Sequence, residues 1–321
     1  MTELPEDDAR EPAILPGSES AGFGTAPSFS YVPYTSPDPP LFHSYTQPPA
    51  RRFERIPNFG HLLLLSLLIG VAFSILIIIL GVVSHFHLFG LRLSQKSATD
   101  LGFNLASEVI LYLATFGLSL FVFPMVWKES LFAGLQWRGR VALSKFGSLA
   151  AIALGCFGLA AVDQILMPGP ANSPIEKMIS SPGAAWLMFA FGVTMAPFFE
   201  EMFFRGFLLP SLCTAYDWIA EKMRHTLPRS LDSNGHPQWS LPAMIIGSVL
   251  TSIPFAGLHV EQQGHSLGPF LLLIAVSLIL CAVRLRFSSL AASTLVHASY
   301  NFFIFSLTLV ATGGFRHFDK M

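Results

Sequence analysis

The sequence contains little charge. Only 12% of its 321 residues are Asp, Glu, Lys or Arg, whereas 52% are hydrophobic, and an ordinary soluble domain carries roughly twice that charged share. The formal net charge of -1 also leaves no basic excess with which to bind a nucleic-acid backbone. We therefore expect an integral membrane protein that does not bind nucleic acid.

Cysteine is scarce as well. Its three copies, Cys156, Cys213 and Cys281, are far apart in sequence and lie in or beside apolar segments. This spacing is typical of neither a disulfide framework nor a zinc ribbon. We expect all three to be buried as small hydrophobic side chains.

The first 57 residues contain no apolar run that could form a core. They are rich in Pro, Ser and Asp, as in YVPYTSPDPP, and this composition is typical of disordered chain. We predict a disordered, proline-rich tail over residues 1–57 and a membrane domain over residues 58–321.

Seven apolar runs are each near the roughly 20 residues that cross about 30 Å of hydrocarbon. They cover residues 62–83, 109–127, 146–162, 183 to about 213, 241–258, 268–283 and 290–313, and an eighth span is left open. A bilayer admits only helices or closed barrels, and these runs are continuous rather than alternating. The predicted fold is therefore an all-α bundle of seven or eight transmembrane helices.

The loops between these runs differ in their content of Lys and Arg. A cytoplasmic tail puts most of these cations, Arg284 and Arg286 among them, on the cytoplasmic side, as the positive-inside rule requires. We expect a multi-pass protein of the cell (plasma) membrane with a cytoplasmic N-terminus.

Three charges interrupt the fourth apolar run, in the segment FFEEMFFRGFLL. An ionisable group at membrane depth costs on the order of 3 kcal/mol, so it normally pairs with a partner and marks a functional site. Glu201 and Arg205 are four residues apart and are predicted to form an ion pair on one helix face. Glu200 has phenylalanines at its i+3 and i+4 positions and no cation in helical reach, which suits a general base.

Two later runs contain further polar groups. The segment IPFAGLHV contains His259, and TLVHASYNFF places His297 and Asn301 four apart on one helix face. A single histidine in such a run is more often a satisfied core residue than a functional one. Together with Glu200, however, these residues form a set of one carboxylate, two imidazoles and an amide from three helices, which is uncommon inside a membrane.

The three motifs EExxxR, FxxxH and HxxxN occur in this order on successive predicted membrane helices. This arrangement resembles the CAAX protease and bacteriocin-processing family, also called the Abi family, which includes the type II CAAX prenyl endopeptidases. The resemblance covers residues 183–313 and implies an intramembrane endopeptidase. It also implies that the catalytic site includes Glu200, Glu201, Arg205, His259, His297 and Asn301. The polar insert between residues 213 and 241 departs from the tighter turn of many relatives and affects the expected substrate access.

Two chemistries for this site remain open. In the first, Glu200 and His259 activate water while His297 and Asn301 hold the oxyanion, and the Glu201–Arg205 pair holds the helix. In the second, Glu200, His259 and His297 bind zinc as a His₂Glu site with an open water position. The family is usually described as metalloprotease, but the sequence lacks HExxH.

Two functions other than peptidase are also open. Buried Glu, His and Arg residues can relay protons in a proton-coupled transporter, although no inverted repeat is evident. The chain can also be a non-catalytic membrane scaffold or immunity protein that keeps the motifs for packing. By family precedent, the expected partners are the lipid bilayer and a protein or peptide substrate with a prenylated or CAAX-like terminus.

Overall fold

A computed structural model describes residues 55–88, 101–170, 174, 182–229, 231 and 236–316. The predicted tail over residues 1–57 lies outside the described residues, apart from its end at 55–57. Its proposed disorder therefore stays a prediction.

Over these residues the chain forms helices and no strand, apart from one isolated bridge between Leu231 and Pro237. The helices are α1 (Phe59–His85), α2 (Leu101–Trp127), α3 (Leu131–Gly134), α4 (Gly139–Ser144), α5 (Phe146–Leu166), α6 (Pro182–Val193), α7 (Met195–Glu201), a π-helix (Met202–Leu208), α8 (Leu209–Arg224), α9 (Leu241–Leu258), α10 (Leu267–Phe287) and α11 (Leu290–Ala311). The all-α prediction is confirmed.

Seven of these segments are long and apolar enough to cross a membrane: α1, α2, α5, the continuous run Pro182–Arg224, α9, α10 and α11. The chain is thus a multi-pass integral membrane protein. Large apolar side chains remain exposed on these helices, including Leu63, Ile78, Phe121 and Ile165. A soluble protein rarely leaves so much apolar surface uncovered, whereas a surface in contact with lipid requires it.

Two helices extend well beyond the predicted spans, by more residues than the others. Helix α2 begins at Leu101 rather than at residue 109, because polar residues in its first turns lower the hydropathy without breaking the helix. The fourth span continues beyond residue 213 to Arg224, because α8 is amphipathic and buries polar side chains, Thr214 and Asp217, on its inner face. Apolar runs therefore underestimate helix length where a helix carries polar residues.

Helix α11 is central to the packing. It contacts α5, α6, α7, α10 and the π-helix, so one helix borders most of the elements that carry the predicted site. Its start is fixed by Ser289, whose hydroxyl accepts a hydrogen bond from the N–H of Ala292, an N-cap of the preferred type. The positions of His297 and Asn301 along the bundle follow from this cap.

Helices α8 and α9 approach closely. A Cβ added at Gly247 would lie 2.7 Å from the sulfur of Cys213, so only glycine fits at this contact. All three cysteines are free and buried, as predicted.

The described end of the polar insert is anchored to α8. The carboxylate of Asp217 accepts hydrogen bonds from both the backbone N–H and the hydroxyl of Ser240. The indole of Trp239 donates to the hydroxyl of Thr214 at 3.1 Å. The insert therefore returns to the membrane domain at a defined point, directly before α9.

Candidate active site

The EEMFFRG segment contains a change of helix type. Helix α7 ends at Glu201, the π-helix covers Met202–Leu208, and α8 starts at Leu209. The N–H of Leu209 bonds the carbonyl of Phe204, five residues back. A π-segment is rare and often occurs at functional sites, so this local geometry supports the choice of this segment as the centre of the site.

The predicted ion pair is present within this segment. Nη1 of Arg205 lies 2.8 Å from Oε1 of Glu201, and both side chains are fully buried. Nη2 of Arg205 donates to the carbonyl and the hydroxyl of Ser277 at 3.1 and 2.7 Å, and its guanidinium lies 4.4 Å from the ring centroid of Phe255. Arg205 therefore joins the π-helix to both α10 and α9.

His297 contacts the two adjacent glutamates through different nitrogens. Nδ1 lies 3.1 Å from Oε1 of Glu201, and because a carboxylate only accepts, Nδ1 carries the proton. Nε2 lies 3.8 Å from Oε2 of Glu200. Glu201 thus orients the imidazole so that its other nitrogen faces Glu200.

His259 is oriented by its own helix. Helix α9 ends at Leu258, and the N–H of His259 bonds the carbonyl of Ala256, which leaves the carbonyl of Phe255 without its i+4 donor. Nδ1 of His259 donates to that carbonyl at 2.8 Å. Nε2 therefore lacks a proton in the neutral ring and lies 4.0 Å from Oε2 of Glu200.

The two histidine nitrogens converge on one carboxylate oxygen. Oε2 of Glu200 is buried and has no hydrogen-bond partner in the described part of the chain. An uncompensated buried carboxylate oxygen costs free energy, so a hydrogen-bond donor placed at this oxygen would be stabilising.

The same three side chains are the candidate zinc ligands. In a tetrahedral zinc site with bonds of about 2.0–2.1 Å, neighbouring ligand atoms lie roughly 3.3 Å apart. The separations of 3.8 and 4.0 Å from Glu200 are wider, and over the described residues no group of three His, Cys, Asp or Glu side chains is arranged to hold a metal ion. The donor types suit zinc, but their placement does not.

Asn301 lies one turn after His297 on α11 and contacts a different part of the fourth span. Its Nδ2 donates to the carbonyl of Gly192 at 2.7 Å, next to the break between α6 and α7. A Cβ at Gly192 would lie 2.9 Å from the ring of Phe305, so glycine allows α11 to approach there. The described contacts of Asn301 include neither Glu200 nor the histidines.

The family model described as Type II CAAX prenyl endopeptidase Rce1-like matches residues 182–303. Over this region the chain is similar to the Rce1-like type II CAAX prenyl endopeptidases. The matched range contains all three motifs and confirms the predicted resemblance. No curated protein and no solved structure matches the chain.

Two residues of α2, outside the Rce1-like region, also reach the site. Tyr112 and Glu200 both line an apolar cavity of about 200 Å³, and the hydroxyl of Tyr112 donates to Glu108 at 2.7 Å. Glu108 lies near enough to Glu200 for the two carboxylates to interact electrostatically. The predicted span begins at residue 109, after Glu108, although the E-x-x-x-Y spacing puts both groups on one helix face.

Arg284 differs most from its predicted environment. The sequence predicted a loop residue, but Arg284 belongs to α10 and is only 2% exposed. It bonds the backbone of the π-helix, so its charge is no guide to topology.

Proposed function

We propose that this protein is an intramembrane endopeptidase in which Glu200 activates water to hydrolyse a peptide bond of a membrane-associated protein or peptide. The observation that carries the proposal is the convergence of Oε2 of Glu200 with Nε2 of His259 and Nε2 of His297 inside the membrane domain. The family match over residues 182–303 supports peptidase chemistry at family level.

The spacing of these atoms suits a bridging water. Separations of 3.8 and 4.0 Å are too long for direct hydrogen bonds, but a water bound between the groups would bond them in turn. Glu200 would take a proton from this water as its oxygen adds to the substrate carbonyl carbon. When the C–N bond breaks, the same proton would pass from Glu200 to the leaving nitrogen.

His259 would assist as an acceptor. Its Nδ1 proton is held by the carbonyl of Phe255, so Nε2 presents a lone pair to the water. The water then donates one O–H to Glu200 and the other to His259. With both O–H bonds fixed, a lone pair of the water oxygen points at the substrate carbonyl.

The oxyanion would be held by groups of α11. With Nδ1 bonded to Glu201, His297 would donate through Nε2 when that nitrogen is also protonated, and the carboxylate of Glu201 would compensate its charge. Asn301 has a second amide N–H besides the one bonded to Gly192. The Glu201–Arg205 pair holds these groups and takes no part in proton transfer.

The cavity beside Glu200 favours an apolar substrate group. Its lining is almost wholly hydrophobic, with Glu200 at one wall. A prenylated or CAAX-like peptide, whose lipid lies in the bilayer, is therefore the substrate that we propose. We also propose a plasma-membrane location with a cytoplasmic N-terminus and the tail over residues 1–57 on that side.

The test is cleavage of a fluorescence-quenched farnesylated CAAX peptide in proteoliposomes by the wild type and by Glu200→Gln. We expect Glu200→Gln to lose about 10²–10⁴ in rate, the contribution of a general base, while it still inserts and melts normally. The exposed Glu261 gives a matched control, since Glu261→Gln makes the same change at an exposed side chain outside the proposed set.

Equal cleavage by the wild type and Glu200→Gln would refute the role of Glu200. If neither cleaves the peptide, comparison of membrane-peptide ends in cells that express either form extends the test to native substrates. Proton-driven uptake that depends on Glu200, without any new peptide end, would replace the proposal with a transporter.

A further inference from the structure

The backbone of the π-helix leaves one carbonyl without a helical donor. In the α register the donor to the carbonyl of Arg205 would be the N–H of Leu209, but that N–H bonds Phe204. In the π register the donor would be residue 210, which is Pro210 and has no N–H. An unbonded carbonyl inside a membrane costs several kcal/mol, so another group must satisfy it.

Arg284 supplies this bond from α10. Its Nε donates to the carbonyl of Arg205 at 3.2 Å, while Nη1 donates to Oε1 of Gln136 at 2.8 Å and Nη2 to the carbonyl of Leu135 at 3.3 Å. The described ion pairs include no carboxylate partner for Arg284. Its buried guanidinium is therefore hydrogen-bonded to neutral oxygens alone. Burying a charge without an ion partner costs free energy, so the position of these three oxygens is important for the fold.

The Gln136 end of this network reaches the start of α11. Gln136 adopts a left-handed conformation, with φ of 55°, and its carbonyl accepts the N–H of Leu290 at 3.1 Å. A Cβ at Gly206 would lie 3.3 Å from Leu290 and 3.4 Å from Leu135. The π-helix, the segment at Leu135 and the first turn of α11 therefore form one tightly packed junction.

We propose that Arg284, held by Gln136, is a positioning residue of the site. It satisfies the carbonyl that the π register and Pro210 leave unbonded, and so it keeps Glu200 and Glu201 directed at His297 on α11. This inference rests on the proposed function, because it concerns the geometry of the same site. Gln136 lies outside the Rce1-like region, whereas Arg284 lies inside it but in none of the three motifs.

Replacement of Arg284 and Pro210, singly and together, distinguishes this positioning role from ordinary packing. Arg284→Met removes the donor, whereas Pro210→Ala restores a backbone N–H at the position that the π register requires. We expect Arg284→Met to lower kcat about 10- to 100-fold, as displaced catalytic groups do, with KM nearly unchanged. Pro210→Ala should cleave like the wild type, and the double variant should recover most of the loss in kcat.

Arg286→Met is the matched control, because Arg286 is on the same helix but exposed. The melting temperature in detergent gives a readout that does not depend on cleavage, and it should fall in Arg284→Met and recover in the double variant. If Arg284→Met does not accumulate, recovery of its yield by Pro210→Ala supports the proposal equally.

The inference would be overturned if Arg284→Met had the kcat and melting temperature of the wild type. It would also be overturned if the double variant did not exceed Arg284→Met in kcat, melting temperature or yield. If the wild type cleaves neither the test peptide nor a native substrate, the proposed function fails, and the melting temperatures still decide whether Arg284 holds the π-helix.

Discussion

The buried pair of Glu201 and Arg205 allows a quantitative test of the site's framework. The two side chains are fully buried and 2.8 Å apart, and the same Glu201 oxygen also contacts Nδ1 of His297. Removal of either charge leaves the other buried without its counter-ion. Such a loss costs about 3–5 kcal/mol in soluble proteins, a large share of a typical total stability of roughly 5–15 kcal/mol.

The two single variants should lose different amounts of free energy of unfolding. Arg205→Met also removes the two bonds to Ser277 and the stacking on Phe255, so it should destabilise the protein more than Glu201→Leu. The double variant leaves no unpaired charge. We expect its free energy of unfolding to be less reduced than the sum of the two single losses, by a coupling energy of about 1–3 kcal/mol.

The assay is reversible unfolding of the purified protein in mixed detergent, followed by circular dichroism or tryptophan fluorescence. The pair of Arg55 and Glu221, at 2.7 Å, keeps some contact with water and provides the comparison, so Arg55→Met should cost less than either variant of the fully buried pair. Strictly additive losses from Glu201→Leu and Arg205→Met, or a double variant less stable than that sum, would refute the ion-pair interpretation.

Two further predictions concern the chemistry. Metal-stripped protein should retain full cleavage activity, because the separations between Glu200 and the two histidines are wider than a zinc site requires. Elemental analysis of the protein used in the cleavage assay checks this. Activity that returns only with added zinc would reverse the conclusion. Asn301→Ala should lower kcat by about 10²–10³ with little change in KM, the loss expected for an oxyanion donor; an unchanged kcat in steady-state assays would leave Asn301 only its structural bond to Gly192.

The sequence predicts well those contacts that lie within one helix. Glu201 and Arg205 are four residues apart, and their pairing follows from helix geometry even though the segment is a π-helix. The membrane spans likewise follow from hydropathy, which depends only on neighbouring residues. Local rules thus identified the fold class and the central motif.

Contacts between helices could not be predicted in this way. The convergence of Glu200, His259 and His297 depends on how three helices pack, and periodicity does not specify that packing. Arg284 shows the limit most clearly, because its role depends on a change of register at residues 202–208 and on a missing N–H at residue 210. A single cation near a helix end gives no sign of either.

The π-helix also sets the rotational phase between the two halves of the fourth span. A π-helical turn contains more residues than an α-helical turn, so one residue could be deleted from Met202–Leu208 with little rotation of α8 relative to α7. Insertion of one further residue could not be taken up in this way and would rotate α8 by about 100°. Asp217 would then turn away from Ser240, and the polar insert would lose its anchor at the start of α9. Insertions in these seven residues should therefore be far less tolerated than substitutions on the helix's lipid-facing side, since they alter the site and the attachment of the polar insert together.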